Sequence, residues 1–358
     1  MSKLKVGFIG GGRISDLHAL GYKDNPSPSI YAVSDIRPQV AQGRAREWGA
    51  QAWYNDYRRM LADPNVDAVE IITPHHLHAP MTIEALEAGK HVSVQKPMCL
   101  NIAEADAMIA AAMRSGRLLR VMENFRFYPP YNLAKELLSS GIIGEIRSMR
   151  MKNIGGQWNS GWHVPESAWQ WRADPTLCGG GPAVFDHGYH MFSIAIYFLG
   201  PVERVYAWID EREVRPGWKS DSPAMIMWKC KDKPVYGSYE VVRAEEMPVP
   251  AKYYPGDEWV ELTGSRGVLW INGCSSSFLD VPPVVVYRDG KLSSYTDLET
   301  DWGNSFVRGT HDFVDAVIDG RPSTLTGEQG REILQFALAA LTSSHEGREV
   351  RPEEILSK

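Results

Sequence analysis

The sequence predicts a two-part α/β protein. An N-terminal parallel sheet carries helices on both faces, and an α+β part follows with a large open, mostly antiparallel sheet. The chain has 358 residues, more than the roughly 250–300 that one hydrophobic core usually supports. Short apolar strands alternate with amphipathic helices over residues 1–124, and period-two segments dominate later. We therefore expect one domain over 1–124 and a second over 125–358.

Strand–helix alternation defines the first part. The predicted strands are Lys5–Ile9, Ile30–Ser34, Ala68–Ile72, His91–Val94 and Leu118–Met122. The predicted helices are Ile14–Tyr22, Pro38–Trp48, Tyr57–Leu61, Ala79–Ala88 and Ile102–Arg114. Pro38 suits a first helical position, Asn101 with Glu104 forms a capping-box pattern, and Gly89 and Gly116 suit helix ends. This alternation is typical of a parallel sheet covered on both faces.

After Phe125 the pattern changes. A helix around Tyr131–Ser139, a strand at Ile146–Lys152 and a helix from about Ala183 to Leu199 are predicted first. From Val202 to Thr296 the residues alternate in period two between turns such as Gly264-Ser-Arg-Gly267 and Asp289-Gly290, which indicates hairpins. Helices near Val307–Asp319 and Gly327–His345 follow.

Composition excludes several functional classes. The net charge of −6 argues against a nucleic-acid or anionic-membrane surface, and we expect neither as a partner. No apolar run approaches the ~20 residues that cross a bilayer. The four cysteines contain no CxxC pair, so neither a metal site nor a disulfide framework is expected. Met1 leads almost directly into a strand with no signal-peptide pattern, and we expect a cytoplasmic protein.

A glycine-rich turn follows the first predicted strand. Gly10 and Gly12 occupy the first two positions of a G-x-G-x-x-G pattern, and Ser15 takes the third. Such a turn lets a pyrophosphate approach the backbone at the start of a helix. Asp35 ends the next strand, where a carboxylate binds the adenine ribose and repels a 2′-phosphate. The pattern predicts a Rossmann-type NAD site, although Arg37 nearby is a feature that NADP sites also use.

Four further segments resemble the Gfo/Idh/MocA oxidoreductase family (glucose-fructose oxidoreductase, inositol dehydrogenase), and the resemblance covers essentially the whole chain. Thr73-Pro-His-His-Leu-His78 resembles the family's T-P-N-x-x-H turn, and Gln95-Lys-Pro97 its E-K-P motif, with Gln95 in place of Glu. Glu123-Asn-Phe-Arg-Phe127 resembles E-N-x-R-F, and the segment from Gly179 to His190 resembles G-G-G-x-x-x-D-x-G-x-H, with one additional residue between Gly181 and Asp186. The order and spacing of the four together are specific.

The resemblance implies catalytic roles for Lys96, Asp186 and His190. Asp186 and His190 are four residues apart on a predicted helix, so they share one face. We expect His190 to be the base for a substrate hydroxyl and Lys96 to stabilise alkoxide character. Asp186 either binds a substrate hydroxyl or holds its neighbours in place. The expected cofactor-binding residues are Gly10, Gly12, Arg13, Ile14, Asp35, Arg37, Thr73, Pro74, His75, His78, Gln95, Lys96 and Asn124.

Four tryptophans lie between Gln157 and Arg172. Aromatic faces beside polar groups suit the ring of a sugar or a cyclitol, although the same tryptophans could fill a domain interface or a subunit contact. The expected substrate-binding residues are Lys96, Arg126, Trp158, Trp162, His163, Arg172, Asp186 and His190.

The expected activity is hydride transfer between NAD and a secondary hydroxyl or ketone of a sugar, a glycoside or an inositol. One alternative is an NAD-dependent glycosidase that works by transient oxidation, elimination and re-reduction. A less favoured one is a non-catalytic nucleotide-binding regulator. The open face of the C-terminal sheet predicts a homodimer or homotetramer, because a broad apolar surface is poorly tolerated in water.

Overall fold

The N-terminal sheet is parallel and follows the predicted alternation. The computed structural model describes residues 3–23, 25–157, 161–215, 217–276 and 278–356. Within these ranges the strand order is β3-β2-β1-β4-β5-β6. The strands are β1 (Leu4–Ile9), β2 (Pro28–Ser34), β3 (Ala52–Tyr54), β4 (Ala68–Ile71), β5 (His91–Gln95) and β6 (Leu119–Met122). The sequence did not predict β3, because this edge strand has three residues and too few alternations to establish a period.

Helices connect these strands where the capping signals predict. They are α1 (Ser15–Lys23), α2 (Pro38–Trp48), α3 (Tyr57–Leu61), α4 (His78–Glu87) and α5 (Ile102–Ser115). The side chain of Asn101 accepts a hydrogen bond from the backbone N–H of Glu104 at 2.9 Å, which satisfies a donor that the first turn of α5 leaves unpaired. Pro38 stands in the first turn of α2, and Gly116 ends α5 with a φ of +63°. These predictions are confirmed.

The C-terminal sheet has the order β16-β15-β14-β13-β7-β12-β11-β8. Its strands are β7 (Ile146–Gly155), β8 (Val202–Ile209), β11 (Ala224–Cys230), β12 (Tyr236–Arg243), β13 (Gly256–Gly264), β14 (Gly267–Asn272), β15 (Val284–Arg288) and β16 (Lys291–Tyr295), and a small hairpin pairs β9 (Arg212–Arg215) with β10 (Trp218–Ser220). Strands β7 and β12 pair in parallel, and the other neighbours pair antiparallel. Asp289 and Gly290 turn between β15 and β16 with φ of +49° and +79°, as a tight hairpin requires. The predicted open, mostly antiparallel sheet is confirmed.

The helices of the second part pack against this sheet and also against the first part of the chain. They are α6 (Pro129–Ser139), α7 (Pro175–Cys178), α8 (Gly188–Leu199), α9 (Trp302–Asp319) and α10 (Gly327–Glu346). Phe313 and Val314 of α9 are buried together with Val6 and Phe8 of β1, so the chain beyond residue 300 completes the core of the N-terminal sheet. The domain boundary at residues 124–125 stays a prediction. Within the described ranges, no helix is long and apolar enough to cross a membrane.

Candidate active site

The glycine-rich turn leaves open space above the start of α1. Gly10 has a φ of +103°, and a Cβ there would lie 2.3 Å from the carbonyl oxygen of Ile72, so only glycine fits. A Cβ on Gly12, in contrast, would meet no heavy atom within 4 Å. The hydroxyl of Ser15 donates to the carbonyl of Gly12 at 2.5 Å and holds the turn against the helix. The turn is therefore a backbone-lined cradle of the kind that a dinucleotide pyrophosphate fills.

Asp35 lies at the end of β2, next to this cradle. Its Oδ2 accepts from the backbone N–H of Gly11 at 3.0 Å, and its Oδ1 accepts from the backbone N–H and the Nε of Arg37 at 2.9 and 3.1 Å. The carboxylate is thus fixed at the position where a ribose diol binds in such folds, and it faces that position with a negative charge. Arg37 is paired with Asp35, and about half of its side chain is exposed. The residues present fit NAD.

The other residues expected at the cofactor lie around the same edge of the sheet. Thr73 and Pro74 follow β4, and Thr73 lies beside Gly10, where a Cβ on that glycine would be 3.4 Å from Cγ2 of Thr73. Ile14 packs against the hydrophobic core below the turn. Asn124, after β6, donates to the hydroxyl of Ser305 on α9 at 2.8 Å, so its amide is engaged by protein.

Lys96 and Asp186 form an ion pair near the same edge. Lys96, directly after β5, places Nζ 2.7 Å from Oδ1 of Asp186 and 2.8 Å from its carbonyl oxygen. Arg172 donates from Nε to Oδ2 of the same carboxylate at 2.6 Å. Burial by itself would raise the pKa of Asp186, but the positive charges of Lys96 and Arg172 outweigh it and hold that pKa well below its usual range. Asp186 is therefore an ionised carboxylate that holds two cations.

A short helical turn ahead of α8 positions Asp186. Residues Pro182–His187 form a π-helical turn, a feature that occurs often at functional sites. The carboxylate of Asp221 accepts from the backbone N–H groups of Ala183 and Val184 at 2.7 Å each and so caps this turn. A Cβ on Gly181 would lie 2.0 Å from Cγ of Asp221, which explains a glycine immediately before the turn. No motif in the sequence indicated Asp221, which lies far along the chain from the turn.

His190 follows Asp186 by four residues and contacts a different carboxyl group. Its Nδ1 is hydrogen-bonded to Oε1 of Glu123, and its ring stacks on Phe125 with centroids 4.1 Å apart. Burial raises the pKa of Glu123 to about 7. Burial, together with the charge of Lys96, holds the pKa of His190 well below its usual range. The sequence placed Glu123 in a motif but assigned it no role; here it orients the proposed base.

Two histidines expected at the cofactor have their ring nitrogens engaged by protein. His78 is fully buried, with Nδ1 2.8 Å from the carbonyl of Pro97 and Nε2 2.9 Å from that of Thr73. Burial lowers its pKa to about 3. His75 places Nδ1 2.8 Å from the carbonyl of Cys178 and Nε2 3.5 Å from Oδ1 of Asp186. His75 thus belongs to the Asp186 cluster, and the neutral ring of His78 donates its single N–H to one of the two carbonyl oxygens beside it.

Gln95, which replaces the family's Glu, belongs to a chain of hydrogen bonds. Its Oε1 accepts from the backbone N–H of Lys96 at 2.9 Å, and its Nε2 lies 3.2 Å from Nε2 of His18. Since the amide nitrogen can only donate, Nε2 of His18 accepts and its Nδ1 donates to Glu70, 3.1 Å away. The neutral amide of Gln95 thus provides the hydrogen bonds that its neighbours need, without placing a second carboxylate beside Glu70.

The tryptophan-rich segment contacts both halves of the expected site. The guanidinium of Arg13 lies over the ring of Trp162, 4.5 Å from the ring centroid, so Trp162 contacts the glycine-rich turn. Trp171 contacts His75 edge-on at 4.5 Å. His163 is exposed, and Trp158 lies outside the described residues. The segment brings Arg172 to Asp186, and it places the ring of Trp162 against Arg13 and the ring of Trp171 against His75.

Arg126 lies in the short helical turn Asn124–Phe127 that follows β6, and its side chain contacts α8. Its Nε donates to the hydroxyl of Ser193 at 2.8 Å, and its guanidinium lies 4.7 Å from the ring centroid of Tyr197. Ser193, on α8, is thus the residue that binds this arginine. Arg126 is thus fixed against α8, one turn beyond His190.

The geometry agrees with the comparisons to known proteins. Residues 4–123 match the profile of an oxidoreductase family with an NAD-binding Rossmann fold, GFO_IDH_MocA, and residues 131–270 match that family's C-terminal domain. The chain belongs to the Gfo/Idh/MocA oxidoreductase family. It is an NAD-binding oxidoreductase, and its family members include dehydrogenases of sugars and of inositol.

Individual family members show how far the similarity extends. The myo-inositol 2-dehydrogenase of Thermotoga maritima is 27% identical over 99% of this chain and 100% of that protein. The levoglucosan dehydrogenase of Pseudarthrobacter phenanthrenivorans is 34% identical over 61% of this chain and 57% of its own length. An oxidoreductase from Agrobacterium radiobacter, solved with NAD⁺, L-tartaric acid and magnesium, has a TM-score of 0.85 at 22% identity, with 99% of this chain and 100% of that chain covered. This last likeness concerns the fold alone.

Proposed function

We propose that this protein is an NAD-dependent dehydrogenase that oxidises a secondary hydroxyl of a monosaccharide, a glycoside or an inositol. The observation that carries the proposal is the joint placement of Lys96, Asp186 and the Glu123–His190 pair at the carboxyl edge of the N-terminal sheet. Such an oxidation needs a base for the hydroxyl proton and a positive charge for the developing alkoxide. The dehydrogenases of levoglucosan and myo-inositol among its relatives support the substrate class.

The Glu123–His190 pair acts as the base. When the pair is deprotonated, the Nδ1–H of His190 donates to the Glu123 carboxylate and Nε2 presents a lone pair to the substrate hydroxyl. When the pair takes up one proton, it becomes either an imidazolium beside a carboxylate or a neutral imidazole beside a carboxylic acid. In both arrangements Nε2 carries a hydrogen and cannot accept the proton of the substrate. Because the pair contains a carboxyl whose pKa is raised to about 7, the base becomes available as the pH rises through that region.

Lys96 supplies the positive charge next to the reacting oxygen. Asp186 and its carbonyl fix the ammonium group with two hydrogen bonds, which leaves the third N–H for the substrate. Both oxygens of Asp186 are engaged, by Lys96 and Arg172, so we assign Asp186 the positioning role. NAD, when bound, accepts the hydride from the carbinol carbon. Gly12, Asp35 and the Thr73–Pro74 turn would hold it.

A screen of the purified protein tests this function. NADH absorbance is followed with NAD and, in turn, levoglucosan, myo-inositol and methyl glucosides. Net NADH formation with at least one of these polyols is expected. Release of the aglycone from a glycoside without net NADH would instead support the glycosidase alternative, and neither product with any compound would contradict both.

A further inference from the structure

His187 lies beside His190 on the turn that precedes α8. The two ring centroids are 5.5 Å apart and the rings are close to perpendicular. A third of the His187 side chain is exposed, whereas only 6% of the His190 side chain is. Both rings are near enough to contact one sugar-sized molecule.

A buried carboxylate anchors one nitrogen of this ring. Nε2 of His187 lies 2.7 Å from Oε1 of Glu258, a residue of β13 with no exposed surface. Nε2 must carry its hydrogen, since a lone pair there would face a carboxylate oxygen. Burial by itself would raise the pKa of Glu258, but hydrogen bonds from His187 and Ser275 outweigh burial and lower it. Ser275 donates to Oε2 at 2.7 Å, and Asn153 donates to Oε1 at 3.0 Å.

The other nitrogen of the ring is available. Among the residues that the structure describes, no group is hydrogen-bonded to Nδ1 of His187. The hydrogen bond to Glu258 is made by Nε2, and the amide nitrogen of Asn153 also lies beside Nε2, at 3.1 Å. Nδ1 accepts a hydrogen bond in the neutral ring and donates one in the imidazolium. A sugar hydroxyl can do both, so it suits this nitrogen in either state.

We propose that Nδ1 of His187 binds a second hydroxyl of the substrate, next to the hydroxyl that His190 deprotonates. Glu258 is the positioning residue that fixes the ring for this contact. The inference rests on the proposed function and deepens it, because it names a specificity-determining residue. It predicts that the substrate carries a free hydroxyl beside the oxidised carbon.

Two substitutions separate substrate contact from structural anchoring. In His187→Gln, the amide nitrogen reaches the position of Nε2, so Glu258 keeps its donor while the group at Nδ1 is lost. In His187→Asn, the amide reaches the position of Nδ1, but the donor to Glu258 is lost. His345→Gln, at an exposed histidine of α10, is the matched control.

The experiment measures kcat/KM with NAD for levoglucosan, myo-inositol and methyl β-D-glucopyranoside, and for derivatives of each that lack one hydroxyl. Binding of the same compounds to the NADH-loaded enzyme is measured by calorimetry. For the wild type, loss of one particular neighbouring hydroxyl should lower kcat/KM about 10- to 100-fold. For His187→Gln, kcat/KM on the intact polyol should fall by a similar factor, and kcat/KM on the deoxy compound should differ from it by less than about threefold. The variant should unfold at the wild-type temperature. His187→Asn should keep part of the discrimination and unfold at a lower temperature.

The outcomes distinguish the two proposals. If the wild type oxidises a polyol and His187→Gln discriminates against the deoxy compounds as strongly as the wild type, the role of His187 is wrong and the proposed function stands. The role of His187 is also wrong if His187→Gln loses the same factor on every compound. If the wild type neither binds nor oxidises any of these polyols, the proposed function is contradicted and the role of His187 falls with it.

Discussion

Replacing Glu123 with Gln removes the carboxyl behind the proposed base with little change of shape. In the wild type, kcat/KM for oxidation should fall as the pH drops below about 7, because a proton on the Glu123–His190 pair then blocks Nε2. At pH 5 the deprotonated fraction, and with it the rate, should be lower by roughly a hundredfold. This acid limb of the pH profile lies at a higher pH than the ordinary pKa of a carboxyl group, because burial has raised the pKa of Glu123.

The Glu123→Gln enzyme should be folded and slow. A neutral amide can stabilise either tautomer of His190 and cannot balance the charge of an imidazolium, so we expect a loss of about 10²- to 10⁴-fold in kcat. Its unfolding temperature should stay near that of the wild type or rise, since a fully buried ionisable group is removed. The KM for NAD should change little, because Glu123 lies behind the histidine.

Steady-state oxidation between pH 5 and pH 9, with thermal unfolding of the same preparations, tests this prediction. Glu332→Gln is the matched control, because burial also raises the pKa of Glu332, which lies on α10. A Glu123→Gln enzyme with activity within about threefold of the wild type and the same acid limb would refute the assignment of Glu123 to the base. The limb would then belong to another group.

Three further predictions concern the cofactor, the ion pair and the assembly. Asp35→Ser should lower kcat/KM for NAD and raise kcat/KM for NADP, because the charge that repels the 2′-phosphate is removed. Equal kcat/KM for the two cofactors in the wild type would show that Arg37 governs the ribose pocket instead. Asp186→Asn should lower kcat while leaving the KM for NAD nearly unchanged, and a normal kcat would remove Asp186 from the positioning of Lys96. Light scattering at micromolar concentration should show a dimer or tetramer, because the outer sheet face exposes Trp208, Met227 and other large apolar residues. A charged residue in place of Trp208 or Met227 should weaken the assembly. A monomeric wild type would contradict the predicted oligomer.

The sequence predicted the parts of the site that local patterns encode. The glycine-rich turn, Asp35 and Lys96 each follow a strand at the edge of the parallel sheet, so their neighbourhood in space follows from topology. The four-residue spacing of Asp186 and His190 predicted a common face. In the structure each has its own partner, Lys96 for Asp186 and Glu123 for His190. These are consequences of backbone geometry that a single sequence reveals.

The partners of these residues could not be predicted in the same way. Glu123 contacts His190 across 67 positions of the chain, and Glu258 contacts His187 across 71. Such pairings depend on how α8 packs between the two sheets, which no local period reports. The tryptophan segment was ambiguous for a related reason, because an aromatic ring suits a sugar, an interface and a guanidinium equally well; Trp162 contacts Arg13.

The most direct test of the proposed chemistry compares Lys96→Met and His190→Ala with the wild type in steady-state oxidation of the best polyol. Both groups act mainly in the transition state, so kcat should fall by about 10²- to 10⁴-fold while the KM for NAD stays nearly unchanged and the proteins remain folded. A His190→Ala enzyme that retains most of its kcat, with the wild-type acid limb, would contradict the account and require the proton to leave through Lys96, or through Asp186 and water.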